Sequence, residues 1–437
     1  MKINFSSEQS KKKFKLVFSL ALALIIALSF VGGFLVAQWA KDDAHKDINK
    51  LFQIADKYYY DEANFTTEDL ADALVKEAFD KYSAYYSEEE YNKKQQNDAG
   101  KYKGIGVTFL TAKNDATIHS VLLNSPAQKA GLKAGDVLHA GKNEIREEWW
   151  FYDKEDAFDF FESVKEDEVF TLYVEREGEF IYKPFELQVA EFTTTYVEYY
   201  DSAKCLQFIT AEDGETPEKT VTENNGEEIS VNDESVAVIK IHAFEGKMVE
   251  EFKMALEYMK ERGRSKLILD LRNNGGGQMD ILTELSAYLI KSEKTKTPVL
   301  TFVKEKGNVY RHYRTPECKF PEFVTGISVM ANERTASASE ALIGGMIGNK
   351  TITKDNLVIE RNGLGVARTY GKGLMQTTYK LPSGGALKIT TAKLYWPDMK
   401  TCIDGVGIRA TEENSVWKGA DAVIRAESLL VAPPING

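Results

Sequence analysis

Apolar residues follow several different patterns along this chain of 437 residues. Residues 16–37 form an almost uninterrupted apolar run, and residues 41–102 show a helical period. From residue 103 the period becomes that of strands, and after residue 235 strands alternate with helices. This order predicts an apolar segment, a helical arm, a small β-rich unit and a larger α/β unit.

The apolar run has the length of a membrane span, because a bilayer core takes about 20 apolar residues as a helix. Four lysines precede it, namely Lys11, Lys12, Lys13 and Lys15. They predict a cytoplasmic N-terminus at residues 1–15 and a single-pass transmembrane signal-anchor at residues 16–40. The rest of the chain is then expected on the extracytoplasmic, periplasmic side of a bacterial inner membrane. Removal of the run as a signal peptide, followed by secretion, is the alternative.

Residues 103–190 have the pattern of a small β-rich domain. Short strands flank a loop of Gly104, Ile105, Gly106 and Val107. Ser125 and Pro126 predict the start of a short helix that Gly131 ends. A second helix is expected at residues 155–165, with Ala157, Phe158, Phe161 and Val164 buried.

This order of elements resembles that of a PDZ domain, as do the Gly-Ile-Gly-Val loop and the Ser-Pro-Ala…Gly-Asp residues at 125–136. The resemblance implies that the amides of residues 104–107 receive the terminal carboxylate of a peptide. The peptide would then add as a strand to the edge of the sheet. Proteins or peptides bound through their C-termini are therefore the expected partners.

Residues 191–437 have the alternation of strands and helices that is typical of an α/β domain. Strands are predicted at 236–241, 266–272 and 327–330, whereas the acidic stretch 211–236 predicts a solvated loop or a hairpin excursion. The second strand leads into Asn273-Asn274-Gly275-Gly276-Gly277. Three glycines leave backbone N–H groups unshielded, and such groups bind either a phosphate or the oxyanion of acyl transfer.

Composition narrows the possible functions. The net charge of -12 and the lack of a basic stripe argue against nucleic acid as a partner. The three cysteines lie far apart without a nearby histidine, so neither a metal site nor a disulfide framework follows. No cofactor is expected.

Ser337 is the candidate nucleophile. It lies in Ala336-Ser337-Ala338-Ser339-Glu340, between a predicted strand and a predicted helix, where serine is also a common helix cap. Small neighbours allow a substrate backbone to approach, and the amides of Ala338 and Gly276 could form a two-donor oxyanion hole. None of the five histidines lies in a motif beside this serine.

Lys372 is the candidate general base. It stands between two glycines, in a pattern that is also frequent in surface turns, and Gln376 follows four residues later. A lysine acts as a base near neutrality when burial lowers its pKa well below about 10.4. Gln376 can hydrogen-bond the amine without adding a charge.

These motifs together resemble the carboxyl-terminal processing peptidases, or tail-specific proteases. The shared residues are Asp270 to Gly277, Ser337 to Glu340, Gly371 to Gly373 with Gln376, and Gly405 to Ile408. The resemblance implies a crotonase-like α/β catalytic core and a Ser-Lys dyad in which Gln376 supports Lys372. It also implies cleavage near the C-termini of protein substrates, with the PDZ domain recognising substrate or gating activity.

The chain departs from the family pattern at three places. Gly275 replaces the usual proline, Gly348 stands where an auxiliary carboxylate is common, and residues 356–365 are expected to form an extra hairpin before Lys372.

Two other functions stay open at this point. The chain could be a catalytically silent PDZ scaffold on the same fold, or a tricorn-like peptidase with a histidine such as His242 as its base. The sequence does not predict an oligomeric state.

Overall fold

The computed structural model describes residues 67–109, 114–144, 148–165, 168–202, 205–209, 218–221, 229, 231–293, 297–361, 367–417 and 420–431. The chain divides into two compact units, residues 1–79 and 80–437. Helix α1 (Thr67–Ala78) belongs to the first unit. The predicted membrane span at 16–40 lies outside the described residues. No helix within those residues is long and apolar enough to cross a bilayer.

The second unit begins with elements that complete the predicted arm. These are β1 (Ala84–Tyr86), α2 (Glu88–Asp98) and β2 (Lys101–Gly104). Ser87 and Glu90 cap α2 reciprocally, since each side chain accepts the backbone N–H of the other residue. The arm is therefore not wholly helical, because both strands pair with strands that form much later in the chain.

Residues 107–188 surround a hydrophobic core of their own. Its strands are β3 (Val107–Phe109), β4 (Ile118–Val121), β5 (Val137–Lys142), β6 (Trp149–Trp150), β7 (Val169–Arg176) and β8 (Glu179–Gln188). β3 pairs with β4, and the others form an antiparallel sheet in the order β6-β5-β7-β8. Helices α3 (Pro126–Ala130) and α4 (Lys154–Ser163) complete this part of the chain.

The two helices test the local predictions. In α3, Ser125 Oγ accepts the Gln128 N–H and Gly131 adopts a left-handed conformation, which confirms both predicted ends. In α4, Ala157 and Phe160 are buried, but Phe158 is 50% exposed, so its predicted burial is wrong. Residues 157, 160, 161 and 164 share one helical face, and Phe158 lies to the side of it.

An eight-stranded sheet forms the centre of the second unit. Its strands are β10 (Val197–Tyr200), β11 (Cys205–Ile209), β12 (Glu218–Val221), β13 (Val236–Ile241), β14 (Lys266–Asp270), β17 (Gly326–Ala331), β18 (Leu357–Arg361) and β21 (Ser415–Trp417), with β9 (Ala190–Thr193) preceding them as the partner of β2. The order is β12-β11-β10-β13-β14-β17-β18-β21. The last five strands in this order, β13, β14, β17, β18 and β21, run parallel. The mixed α/β character that the sequence predicts is confirmed.

Helices cover both faces of this sheet. Helices α5 (Met248–Glu261), α6 (Met279–Leu289) and α7 (Ala338–Gly348) contribute to the larger core on one face. Helix α8 (Ala420–Val431) packs on the other face through Ala422, Val423 and Ala426. Burial on both faces explains why β13 is buried at every position.

A smaller antiparallel sheet lies beside this core. It contains β15 (Val299–Glu305), β16 (Val309–Arg314), β19 (Leu374–Lys380) and β20 (Ala386–Tyr395), together with β1. The strand order is β1-β20-β15-β16, and β19 also pairs with β20. Strand β19 of this sheet contains Gln376 and begins two residues after Lys372.

Two segments that are not predicted as single strands contain them. In the segment 356–365, residues 357–361 form the parallel strand β18, so an extra hairpin there is wrong; residues 357–359 are apolar and buried in the central sheet. In the acidic segment 211–236, β12 pairs antiparallel with β11, which agrees with the hairpin alternative, and Ile229 and Val231 are buried in the core that α8 covers.

A buried glutamate joins α5 to the start of β10. The carboxylate of Glu251 accepts the N–H groups of Tyr196 at 2.6 Å and Val197 at 3.1 Å. Burial raises the pKa of Glu251 to about 8, although both hydrogen bonds lower it. Since residues 190–193 pair with β2, this carboxylate anchors the chain where it leaves the β-rich unit and enters the central sheet.

Replacing Glu251 with glutamine should change how stability depends on pH. A carboxyl with a folded pKa near 8 and an unfolded pKa near 4.3 contributes stability that is complete below about pH 4 and lost as the pH rises through 8. Chemical denaturation should therefore show that the free energy of unfolding of Glu251→Gln rises relative to that of wild type as the pH increases from 5 to 8. The rise should be on the order of 1 kcal/mol or more. The exposed neighbour in Glu250→Gln is the control, and a constant difference between Glu251→Gln and wild type would contradict the prediction.

Candidate active site

Ser337 is held in a strained backbone conformation. Its φ of 57° and ψ of -115° place it outside the regions that non-glycine residues usually adopt. Such a residue costs about 1–3 kcal/mol and persists where the surrounding contacts enforce it. Ser337 follows β17 directly before α7, so its side chain is presented at the carboxyl end of the parallel strands, where α/β proteins place their sites.

The glycine-rich turn packs directly against Ser337. A Cβ built on Gly276 would lie 3.0 Å from Ser337 Cβ and 3.1 Å from the Ala338 nitrogen. Gly276 also has a φ of 108°, which L side chains rarely adopt. The structure therefore brings together Ser337, Ala338 and Gly276, the three residues that the sequence predicts as nucleophile and oxyanion donors.

Asn274 connects this turn to its surroundings. Its Oδ1 accepts the Gly276 N–H at 2.9 Å, and its Nδ2 donates to the Ile241 carbonyl at 2.9 Å. Its backbone carbonyl accepts the Ala336 N–H and the Ser339 hydroxyl, both at 3.0 Å. The turn is thus tied to β13 and to the nucleophile loop, and the Gly276 N–H is engaged by Asn274 in this conformation.

Lys372 is half-buried beside an aromatic ring. Its ammonium lies 4.7 Å from the centre of the Tyr82 ring. Burial and the nearby Lys388 lower the pKa of Lys372, whereas Tyr370 and Asp80 act in the opposite direction. A lowered lysine pKa is what a general base requires. Within the described ranges, Lys372 Nζ makes no hydrogen bond to Ser337 Oγ.

Glu340 links the backbones of the two candidate catalytic residues. It is fully buried in α7, and its Oε2 accepts both the Ser337 N–H and the Lys372 N–H at 2.9 Å. Its Oε1 accepts the Gly371 N–H at 2.8 Å and the Thr369 hydroxyl. Four donors converge on two oxygens, which fits an ionised carboxylate. Burial raises the pKa of Glu340, and the four hydrogen bonds oppose that rise.

The Gly405–Ile408 motif hydrogen-bonds to the backbone segment of residues 369–372, which also contacts Glu340. The Ile408 N–H donates to Thr369 Oγ1 at 2.7 Å, and the Gly405 N–H donates to the Gly371 carbonyl at 2.8 Å. Thr369 in turn donates to Glu340. The residues from 369 to 372 are therefore fixed from both sides.

Two other predicted polar residues lie in different surroundings. Gln376 Nε2 donates to Thr390 Oγ1 at 3.0 Å, and no hydrogen bond joins it to Lys372 in the described part of the chain. His242 Nε2 lies 2.6 Å from the buried carboxylate of Glu198. Burial raises and His242 lowers the pKa of Glu198, with a net value of about 2, so this pair is a tight ion pair whenever His242 is protonated.

The departure at Gly348 has a steric reason. A Cβ on this residue would lie 2.7 Å from the Pro397 ring, so the position leaves no room for the auxiliary carboxylate that the family resemblance leads us to expect there. Among the described residues, Asp80 is the carboxyl group that acts electrostatically on Lys372. Because Asp80 lies far from Lys372 in the sequence, no sequence pattern predicts this role.

The loop of residues 104–107 lies at the β-rich part of the chain. The Ala127 N–H donates to the Ile105 carbonyl and the Leu122 N–H to the Gly106 carbonyl, both at 2.8 Å. Within the residues described, the N–H groups of Ile105 and Gly106 donate to no backbone acceptor. The loop has the free donors that binding of a carboxylate requires.

A family comparison agrees with this arrangement of residues. Residues 235–413, which contain Ser337, Lys372 and Glu340, match the model of peptidase family S41. This segment of the chain is similar to the peptidases of family S41. With the curated relatives below, the match indicates a serine peptidase, and peptidases of this family act on protein substrates.

The chain is similar to curated proteins over most of its length. A probable CtpA-like serine protease of Staphylococcus aureus (strain MRSA252) is 27% identical over 398 residues, which cover 89% of this chain and 68% of the relative. A probable CtpA-like serine protease of Staphylococcus epidermidis is 26% identical over 367 residues, covering 83% of this chain and 64% of the relative.

Solved structures show weaker likeness. The photosystem II D1 C-terminal processing protease has a TM-score of 0.49 and 19% identity, with 85% of this chain and 87% of that chain covered. A putative S41 protease from Bacteroides fragilis has a TM-score of 0.47 and 14% identity, with 87% and 88% covered. At TM-scores below 0.5, neither likeness supports a conclusion about this chain.

Substituting Glu340 with glutamine should disable the peptidase. One carboxylate oxygen becomes an NH₂ group that faces hydrogen-bond donors, so at least two buried bonds are lost at about 1.5–3 kcal/mol each. We expect cleavage of an unstructured protein to fall at least about 100-fold, with unfolding at lower denaturant concentration. The exposed helical site in Glu257→Gln is the control. Wild-type kcat/KM in Glu340→Gln would show that this carboxylate does not organise the site.

Proposed function

We propose that the chain is a membrane-anchored, extracytoplasmic endopeptidase that cleaves proteins near their C-termini with a Ser337–Lys372 dyad. The observation that carries this proposal is the shared contact of both backbones with one carboxylate oxygen of Glu340. A strained serine and a lysine of lowered pKa, joined through the same buried group, have the chemistry of an activated nucleophile and its base. No cofactor is part of this mechanism.

In the first step, neutral Lys372 accepts the proton of Ser337 Oγ while that oxygen attacks the scissile carbonyl carbon. The carbonyl π electrons move to oxygen, and the Ala338 N–H stabilises the oxyanion because the first N–H groups of a helix have no intrahelical acceptor. The Gly276 N–H becomes the second donor once it leaves Asn274 Oδ1. Each donor contributes about 2.7–4 kcal/mol in comparable sites.

In the second step, protonated Lys372 gives its proton to the departing amine as the C–N bond breaks. Water then loses a proton to Lys372 and attacks the acyl-enzyme, which releases the new C-terminus and restores Ser337. Before this cycle begins, Lys372 Nζ must move from the Tyr82 ring to Ser337 Oγ. Gln376 would support the amine once it has moved.

The unassembled dyad favours one competing function, a catalytically silent scaffold. The His242 base of a tricorn-like peptidase is disfavoured, because the His242 ring is already engaged by Glu198. We further infer a crotonase-like core, since helices alternate with the parallel strands β13, β14, β17 and β18. The membrane anchor is inferred from the apolar run at 16–37 and the lysines before it. Secretion after removal of that run is the alternative.

We infer that residues 103–190 are a PDZ domain that binds substrate C-termini. Three features support this inference: the free donors at Ile105 and Gly106, the single pairing of β3 with β4, and the apolar contact of Phe109 with Phe158. The unpaired edge of β3 could accept a peptide strand, and Phe158 on α4 is exposed beside it. An apolar C-terminal side chain fits these neighbours.

The dyad is tested by the loss of cleavage and by pH. Purified full-length protein should cleave casein, and Ser337→Ala and Lys372→Ala should each reduce kcat/KM at least about 1,000-fold. Activity should rise with pH, because neutral Lys372 is the active form, with a midpoint below 10.4 because the pKa of Lys372 is lowered.

Controls separate this mechanism from its competitors. Lys393→Ala removes a surface lysine from its ion pair with Asp404 and should keep wild-type activity. Absence of cleavage by wild type under all conditions supports the scaffold. Activity that survives in Lys372→Ala and disappears in His242→Ala would refute the dyad.

Peptide binding tests the PDZ inference independently of catalysis. In the Ser337→Ala protein, a fluorescent peptide that ends in an apolar residue should bind, and amidation of its C-terminus should weaken binding at least about 10-fold. Phe158→Asp should have a similar effect because it places a charge beside the edge of β3 where the peptide is expected to bind, whereas Tyr182→Asp on the exposed face of β8 should not. Equal affinity for acid and amide would contradict the inference.

A further inference from the structure

Three residues that precede β1 extend the active site beyond the matched family segment. Asp80, Lys81 and Tyr82 are followed by β1, which pairs with β20 so that Ala84 lies opposite Lys388. Asp80 Oδ1 accepts the Tyr82 N–H at 3.0 Å and the Ser83 hydroxyl at 3.1 Å. The segment is thereby fixed in a defined conformation beside the strand that carries Lys388.

Tyr82 is the aromatic residue that contacts the candidate base. Its ring centre lies 4.7 Å from Lys372 Nζ, the shortest of the lysine–ring distances in the described part of the chain. Lys81 Nζ lies 5.1 Å from the same ring and donates to the Tyr370 hydroxyl at 3.3 Å. Among the residues that the structure describes, no carboxylate or hydroxyl group makes a hydrogen bond with Lys372 Nζ.

The ring contact competes with the reaction. Lys372 Nζ has to reach Ser337 Oγ for proton transfer, but in this conformation it lies against Tyr82 instead. A cation is attracted to the face of an aromatic ring, and this attraction is stronger where water is partly excluded. A neutral amine loses most of it, so the contact favours the charged form of Lys372.

We propose that Tyr82 is a positioning residue of the peptidase, whose ring holds the Lys372 ammonium away from Ser337 in the resting enzyme. The proposal rests on the proposed function of Lys372 as base. Loss of the proton releases the amine from the ring, which couples the readiness of the base to its position. Tyr82 thus contributes to the pH at which the dyad assembles.

Other charged groups around Lys372 do not replace this contact. Lys388 on β20 repels the ammonium, while Asp80 and Tyr370 attract it. Lys81 contacts both Tyr82 and Tyr370, and Glu340 contacts the Lys372 backbone. The Tyr82 hydroxyl also interacts with Tyr370 and Lys81. Because Tyr82→Phe removes the hydroxyl and keeps the ring, the difference between Tyr82→Leu and Tyr82→Phe isolates the contribution of the aromatic face.

The test is a direct titration of the Lys372 amine by competitive labelling and mass spectrometry. It uses full-length protein that carries Ser337→Ala, so that catalysis is not needed. The pH of half-deprotonation in Tyr82→Leu should lie about 0.5–1 unit below that in Tyr82→Phe, which also lacks the hydroxyl but keeps the ring. With Ser337 present, the rise of kcat/KM with pH should move down by the same amount in Tyr82→Leu relative to Tyr82→Phe.

The matched control is Tyr310→Leu, which removes a ring that lies 5.6 Å from Lys304. It should leave the Lys372 titration unchanged. An unchanged or raised midpoint in Tyr82→Leu relative to Tyr82→Phe would overturn the proposal, because the ring would then act only through packing or desolvation. If Tyr82→Leu does not fold, a ring-current shift of the Lys372 Cε protons, assigned with Lys372→Arg, decides: its absence overturns the proposal.

The two proposals fail in distinguishable ways. Cleavage that persists in Ser337→Ala refutes the dyad, yet the labelling experiment still reports whether the Tyr82 ring stabilises the ammonium. If Ser337→Ala is inactive but Tyr82→Leu does not shift the titration of Lys372, the dyad is supported and the role of Tyr82 is overturned.

Discussion

The carboxylate of Glu340 is the interaction on which the candidate site depends. It is buried in the first turn of α7, where the helix dipole favours a negative charge, and all its hydrogen bonds come from the two segments that carry Ser337 and Lys372. The strained conformation of Ser337 costs about 1–3 kcal/mol, which hydrogen bonds of about 1.5–3 kcal/mol to a charged group can offset. The same bonds place Gly371 and Lys372 beside the nucleophile loop. Strain and placement therefore have one common cause.

The oxyanion turn depends on a second buried polar residue. Asn274 uses its side chain and its carbonyl to connect β13, the glycine-rich turn and the loop before α7. A backbone N–H that is held by Asn274 is fixed in place but is not free for an oxyanion. The energetic cost of exchanging one acceptor for another is small when the second one is charged, because charged acceptors form the stronger bond. In the proposed mechanism, the Gly276 N–H therefore exchanges Asn274 Oδ1 for the oxyanion.

Sequence patterns predict local features of this structure well. β13 spans the predicted residues 236–241, and Ser125 and Gly131 mark the ends of α3 as expected. The motifs around Gly276, Ser337 and Lys372 converge because each follows or precedes a strand of a layered fold. The predicted burial of Phe158 is wrong because Phe158, Phe160 and Phe161 lie close together in sequence, and only packing shows that Phe160 fills the core. The strand β18 was missed because a short apolar run after a polar turn also fits a hairpin.

Long-range polar contacts have no comparable signal in one sequence. Glu340 lies 31 residues from Gly371 and 32 from Lys372, and at its own position it has the pattern of an ordinary capping residue. Lys81 and Tyr370 are separated by 289 residues, and their contact follows only from the pairing of β1 with β20. Pro397 excludes a side chain at Gly348, and among the described residues Asp80 is the carboxyl group that acts electrostatically on Lys372. Burial raises the pKa of Asp80, but hydrogen bonds from Thr390, Tyr82 and Ser83 together lower it by more. The net pKa is below the ordinary value, so this carboxylate stays charged. The electrostatic setting of the base is therefore shared between the family motif and the arm that precedes it.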